Sequence, residues 1–186
     1  MNSLKSAALV LLGACAFTTP AFAALKTGAQ APDFKAPAYL AGEPFTFKLA
    51  DALKKGPVVV YFFPAAHTPG CNLEARQFSQ AIDQFKAQGA SVIGVTAGNV
   101  DELAAFSKET EHCGGKFPVA ADPGAAIAKR YDATLAAKPE WSNRTSYVIT
   151  QAGTIAHVYS DLKPNEHVKE MLEAVTALHK PAKPAK

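Results

Sequence analysis

The feature that most restricts the fold is the run Val58-Val59-Val60-Tyr61-Phe62-Phe63, all β-branched or aromatic and halted by Pro64. A half-exposed strand alternates apolar and polar side chains. An unbroken run of this kind reads instead as a strand buried on both faces. Seven residues after the proline comes a lone thiol, Cys71, followed by a charged, helix-like segment.

The other segments supply the layers that such a strand needs. From Cys71 to Gln88, residues Leu73, Phe78, Ile82 and Phe85 recur near helical spacing with charges between them, and Gly89 closes the helix. Ala90 to Thr96 reads as a second buried strand. Val100 to Glu111 reads as a helix opened by Asp101 and Glu102, acids suited to a helix N-terminus. Phe117 to Ala120 predicts a short strand and Ala125 to Tyr131 a short helix. Thr145–Thr150 and Thr154–Tyr159 flank Ala152-Gly153 as a hairpin. Glu166 to His179 predicts a closing helix with Val168, Met171, Leu172, Val175 and Leu178 on one side. Upstream of the buried run, residues 31–53 predict short strands and a turn. Strands alternating with helices, then a hairpin and a helix, define an α/β fold of thioredoxin-like order: a mixed central sheet flanked by helices. No internal repeat or long linker divides residues 24–178, which are expected to form one domain.

The ends follow different rules. Residues 1–23 carry Lys5, the apolar stretch AALVLLGACAF and an Ala21-Phe22-Ala23 cleavage pattern, the three parts of a secretory signal. The apolar stretch is too short for a permanent transmembrane span. Export to a bacterial periplasm is expected. The alternative is a lipid anchor at Cys15, within a lipobox-like Leu12-Gly13-Ala14-Cys15. Residues 179–186, HKPAKPAK, predict a disordered tail. Without residues 1–23 the formal charge falls from +3 to +2, too mild to argue for nucleic acid or an anionic membrane surface.

Two cysteines remain beyond the signal, Cys71 and Cys113. In an exported chain a pair invites a structural bridge. A domain of this size buries enough core without one, so position has to decide. Cys71 falls where a helix N-terminus should begin, after Thr68-Pro69-Gly70. Unpaired N–H groups and the helix dipole favour negative charge there, and the thiolate is the reactive form of cysteine. The bland alternative is a buried cysteine acting as a small hydrophobe. A Cys-x-x-Cys dithiol site is excluded, because its first position holds Thr68.

Pro64-x-x-x-Thr68-x-x-Cys71, within PAAHTPGC and with Glu74 three residues on, resembles the active-site signature of the peroxiredoxins, in their bacterioferritin comigratory protein (PrxQ) branch. The likeness runs from APDF at residue 31 to the last helix and includes Asn143-Arg144-Thr145-Ser146-Tyr147-Val148-Ile149. It implies a peroxidase in which Cys71 is the peroxidatic cysteine and the Thr68 hydroxyl joins the thiolate–peroxide array. Pro64 would shield the thiolate, and Arg144 would hold the sulfur as thiolate and steady developing charge. Glu74 either orients Arg144 or charges the first helical turn. In that branch a resolving cysteine lies five residues after the first or in the next helix. Position 76 is Arg, and Cys113 stands about a turn later than usual, so it is either the resolving thiol or an inert, packed one.

The resemblance implies a hydroperoxide substrate, an external thiol or thioredoxin-like reductant, and a monomer or weak homodimer. It implies no metal, haem or flavin. The rival is a redoxin-fold oxidant sensor or partner-binding protein without turnover. Among the histidines, His67 reads as a rim residue, His112 lacks zinc-ligand spacing, and His157, His167 and His179 read as strand or surface residues.

Overall fold

The computed structural model describes residues 24–179. The expected signal at 1–23, Cys15 within it, and the tail from residue 180 lie outside them. His179, the first residue of the expected tail, is placed, its Nε2 2.8 Å from the Gln88 carbonyl oxygen.

Strands β1 (Lys35–Leu40) and β2 (Glu43–Lys48) form a hairpin, and α1 (Leu49–Leu53) leads to β3 (Val58–Phe62). Then come α2 (Pro69–Ala87), β4 (Ser91–Thr96), a 3-10 turn (Val100–Glu102), α3 (Leu103–Lys108) and β5 (Val119–Ala121). A second 3-10 turn (Pro123–Ala125) and α4 (Ala126–Arg130) precede β6 (Thr134–Leu135) and β7 (Lys138–Ser142). The chain closes with β8 (Thr145–Ile149), β9 (Ile155–Ser160) and α5 (His167–Leu178). Seven strands make one sheet in the order β2-β1-β5-β4-β3-β8-β9, while β6 and β7 pair separately. Only β3–β4 and β4–β5 are parallel in that sheet, so it is mixed, as the order of elements predicts.

The unbroken apolar run is explained by its two coverings. Every residue of β3 is buried. Side chains alternate faces along a strand, so Val59, Tyr61 and the following Phe63 enter one cluster with Phe78, Ile82 and Phe85 of α2, Phe106 of α3 and Met171 of α5. Val58, Val60 and Phe62 enter the other, with Phe34, Leu49, Tyr131 and Tyr147. Tyr61 stacks on Phe78 with ring centroids 4.4 Å apart. Removing a ring of that size from such a core costs about 3–5 kcal/mol. Cys71 and Cys113 both belong to the first cluster.

Two helix boundaries differ from expectation, and both move a cysteine. Helix α2 begins at Pro69, not Cys71, because proline at the first helical position has a preset φ and no N–H to leave unpaired. Helix α3 stops at Lys108: Glu109 turns extended, and the chain leaves through Gly114 and Gly115, both at positive φ. Cys113 therefore sits in a turn beyond the helix, not at its end. The β6–β7 pair was not foreseen, and Leu178 lies exposed at the end of α5.

Candidate active site

The site begins where β3 ends. Pro64 to Ala66 are held by the end of β4 and the loop after it. Thr96 Oγ1 donates to the Pro64 carbonyl at 3.0 Å, and Asn99 Nδ2 donates to the Ala66 carbonyl at 2.8 Å. Gly98 lies so close that an added Cβ would stand 2.4 Å from the Pro64 carbonyl oxygen. Only a residue without Cβ allows that approach. Sequence reading passed over Thr96, Gly98 and Asn99, which set the path of the motif before its cysteine.

Thr68 occupies the N-cap of α2 with extended backbone angles, but its side chain does not cap the helix. Its hydroxyl donates to the Ala65 carbonyl at 2.9 Å, leaving the oxygen lone pairs available as acceptors. The first helical bond runs from the Asn72 N–H to the Thr68 carbonyl, which leaves the N–H groups of Gly70 and Cys71 outside the helical ladder. Cys71 is thus the third residue of a 19-residue helix, buried to 1% exposure, at the positive end of the helix dipole.

Arg144 reaches the same point from the turn before β8. Its Nη2 donates to Cys71 Sγ at 3.4 Å, its Nη1 to Glu74 Oε2, and its Nε to the Leu162 carbonyl at 2.8 Å. One guanidinium therefore uses three edges on three partners, with only 5% of the residue exposed. Gly70 makes room for it: an added Cβ would stand 3.1 Å from Arg144 Nη2. Burial alone would make Arg144 easier to deprotonate, but Glu74 and Cys71 hold it above its ordinary value. Of the two sequence readings of Glu74, its bond to Arg144 favours orientation over a charge on the helix's first turn.

His167 is the residue that sequence reading misplaced. It is fully buried, not a surface residue. Its Nε2 lies 2.8 Å from the Asp161 carbonyl, which can only accept, so Nε2 carries the proton. Its Nδ1 then accepts from the Ser146 hydroxyl at 2.8 Å, with Glu74 Oε1 3.5 Å away. A signal was available in the spacing: His167 shares a helical face with Met171 and Val175, and those three are the buried residues of α5. Behind Cys71, therefore, stand Arg144, Glu74, His167 and Ser146, packed out of solvent.

This buried group gives a pH prediction. Burial pushes His167 down to about 4, the bond to Asp161 opposing and Arg144 adding to the depression. The unfolded chain takes up that proton near pH 6.5, so it binds more protons than the folded one between the two values. The His167 contribution is complete above pH 6.5 and is lost as the pH falls toward 4. Glu74 acts oppositely. Burial pushes its carboxyl up to about 8 against the pull of Arg144, so its contribution declines as the pH rises from 4.5 to 8. A difference measurement separates them. Urea unfolding of wild type and His167→Gln should show a penalty for the variant at pH 7 that shrinks by about 2 kcal/mol at pH 4.5. Equal penalties at both pH values would remove His167 as the source.

Cys113 is fully buried in its turn, and burial, with Glu109 adding, pushes its thiol well up. Among the described residues Cys71 and Cys113 are both free thiols. His67, read as a rim residue, and His112, read as lacking zinc-ligand spacing, converge on Glu109. A surface cavity of about 630 Å³ beside Phe45, Phe47, Lys48 and Asp51 is lined by none of these residues. Chemistry, not volume, marks the site.

A thioredoxin-like sheet carrying a buried thiol at a helix N-terminus, with an arginine bonded to its sulfur, defines the thiol peroxidase class. The model of the AhpC/TSA family matches residues 27–158. The chloroplastic peroxiredoxin Q of Sedum lineare is 30% identical over 143 residues, covering 73% of this chain and 75% of that protein. The peroxiredoxin Q of Populus jackii is 31% identical over 67% of this chain, and the match spans 58% of its length. The crystal structure of peroxidoxin BcpB from Mycobacterium tuberculosis superposes with a TM-score of 0.73 at 27% identity, covering 84% of this chain and 99% of that one. The chain belongs to the AhpC/TSA family and is a peroxiredoxin of the Q-like branch.

Proposed function

We propose that the protein reduces hydrogen peroxide and small organic hydroperoxides through Cys71, and that Cys113 resolves the oxidised cysteine as an intramolecular disulfide. The observation that carries this reading is the Arg144 Nη2 contact at 3.4 Å to a sulfur in the first turn of α2. The Cys71 thiolate attacks one peroxide oxygen. An S–O bond forms, the O–O bond breaks, and the leaving oxygen departs as water or alcohol after taking a proton. Sulfur is oxidised and peroxide reduced by the same two electrons. The guanidinium and the free N–H groups of the helix start stabilise charge as it develops, and being fixed they need no reorganisation. The Thr68 oxygen accepts from the peroxide while its own hydroxyl proton is donated to the Ala65 carbonyl, and Pro64 walls the thiolate.

The sulfenic acid then condenses with the Cys113 thiol, releasing water and forming the disulfide. An external thiol or a thioredoxin-like reductant restores both thiols. Bridging requires Cα atoms within about 7 Å, and the buried Cys113 thiol is held in its protonated, unreactive form. In this reading the start of α2 and the turn at 109–116 open before resolution, eased by Gly114 and Gly115. Action outside the cytoplasm, in a bacterial periplasm or on a lipid anchor at Cys15, belongs to the same proposal and rests on residues 1–23. No described helix is long and apolar enough to cross a membrane.

One experiment tests the cycle. Reduced mature protein is given one equivalent of hydrogen peroxide, then weighed intact and mapped as non-reduced peptides. A loss of two hydrogens with Cys71 joined to Cys113 is the expected result. Oxygen retained on Cys71 alone would make Cys113 structural. A Cys71 that oxidises once but shows no turnover with a supplied thiol would make the protein a sensor.

A further inference from the structure

We propose that His67, Glu109 and His112 form a binding site for a divalent metal of the zinc class, tying the loop before Cys71 to the turn that carries Cys113. His67 lies between Pro64 and Thr68 at a φ of 58°. Glu109 ends α3, and His112 lies in the turn that follows. The three come from two segments far apart in sequence, His67 from one and Glu109 with His112 from the other. Their ligand atoms nevertheless lie within 4.8 Å of one another.

The geometry is close to a coordination shell. His67 Nε2 lies 2.8 Å from Glu109 Oε2, and His112 Nε2 lies 3.4 Å from the same oxygen. Zinc bonds of about 2.0–2.2 Å place tetrahedral donor atoms about 3.3 Å apart. A metal replacing the proton shared by His67 and Glu109 therefore requires a shift of about half an ångström. Two imidazoles and a carboxylate are a donor set suited to zinc, with a fourth position left for water.

The surroundings orient the donors. Glu102 Oε2 lies 2.5 Å from His67 Nδ1, so it accepts the Nδ1 proton and leaves Nε2 for the metal. A carboxylate behind a ligating histidine recurs in zinc sites and sets ring orientation. Phe106 packs against both rings, edge-on to His67 at 5.3 Å and beside His112 at 4.9 Å. An ion pair alone accounts for His67, whose pKa is raised by Glu109 and Glu102 although burial opposes it. His112 fits a pair less well: at 3.4 Å its Nε2 is far for a hydrogen bond to the Glu109 oxygen but close to the spacing of two donors on one metal. That ring is largely buried, and its Nδ1 finds no partner among the described residues. An imidazole committed to a metal through Nε2 keeps its proton on Nδ1, so this ring would be the less supported of the two.

A bound metal would hold the Cys113 turn against the Cys71 loop. Any consequence for disulfide formation rests on the resolving role proposed above, but the site does not.

The test therefore reads binding, not turnover. Calorimetric titration of the reduced full chain with Zn2+ alone should give one site. That site should persist when Cys71 and Cys113 are both replaced by serine, and the Co2+ form should lack thiolate charge-transfer bands. Glu102→Gln should weaken binding by about 10- to 100-fold, and Glu109→Gln and His112→Ala by more, with circular dichroism unchanged. Zn2+ should also slow amide exchange across residues 109–116. Absence of stoichiometric binding overturns the site. So does binding that survives Glu109→Gln and His112→Ala, or that disappears with the cysteines.

Discussion

Cys71→Ser is expected to reduce peroxide turnover by about 10⁴-fold or more while leaving the fold in place. The scale is that of removing a nucleophile around which the rest of a site is organised. A serine hydroxyl is far less acidic than a thiol and attacks an O–O bond poorly, whereas sulfur is more polarisable and more nucleophilic. Serine is close to cysteine in size, and Arg144 Nη2, now 3.4 Å from the sulfur, can donate to its oxygen. Melting should therefore move little. The measurement is steady-state peroxide consumption with a supplied thiol, beside thermal unfolding. Turnover within tenfold of wild type would move the chemistry to another group, with Cys113 first in line.

Arg144→Ala is expected to fail twice over. Loss of one fixed donor aimed at developing charge typically costs 10²–10³ in rate. The same change strands Glu74, fully buried, without its cation. Leaving a buried polar group without its partner costs about 1–3 kcal/mol, and more when it is charged. A second substitution separates the two losses. In Arg144→Ala with Glu74→Gln the orphaned buried acid is gone, so much of the stability should return while activity stays low. Arg144→Lys keeps the charge but cannot serve Cys71, Glu74 and the Leu162 carbonyl from three edges, so activity should fall even where folding does not. Kinetics on peroxide and urea unfolding read the two effects. If the double variant regains activity along with stability, Arg144 is structural and has no part in the reaction.

The sequence carried the fold class a long way. Six unbroken apolar residues at Val58–Phe63 demanded cover on both faces, and the structure places a core cluster on each side of β3. Helical spacing in α2 and α5 and the β8–β9 hairpin were also legible, because periodicity is a local property. The motif around Cys71 was readable for a similar reason: Pro69 and Gly70 act on the backbone beside them.

Other parts were not local. The shift of the α2 start to Pro69 and the early end of α3 turn on single boundary residues, which pattern does not fix. His167 looked like a surface residue because nothing near it in the chain names Glu74 or Ser146. They meet because α2, β8 and α5 pack together. Likewise Thr96, Gly98 and Asn99 matter only because β4 lies parallel beside β3 and brings its end to the Pro64 loop. His67 and His112, 45 positions apart, converge on Glu109 only in the folded chain. The sequence by itself determined the sheet, its helical cover and the thiol's place at a helix start, since these follow from near-neighbour side chains. Only the tertiary structure decided what surrounds that thiol, because burial, charge pairing and metal-like geometry depend on distances between segments far apart along the chain.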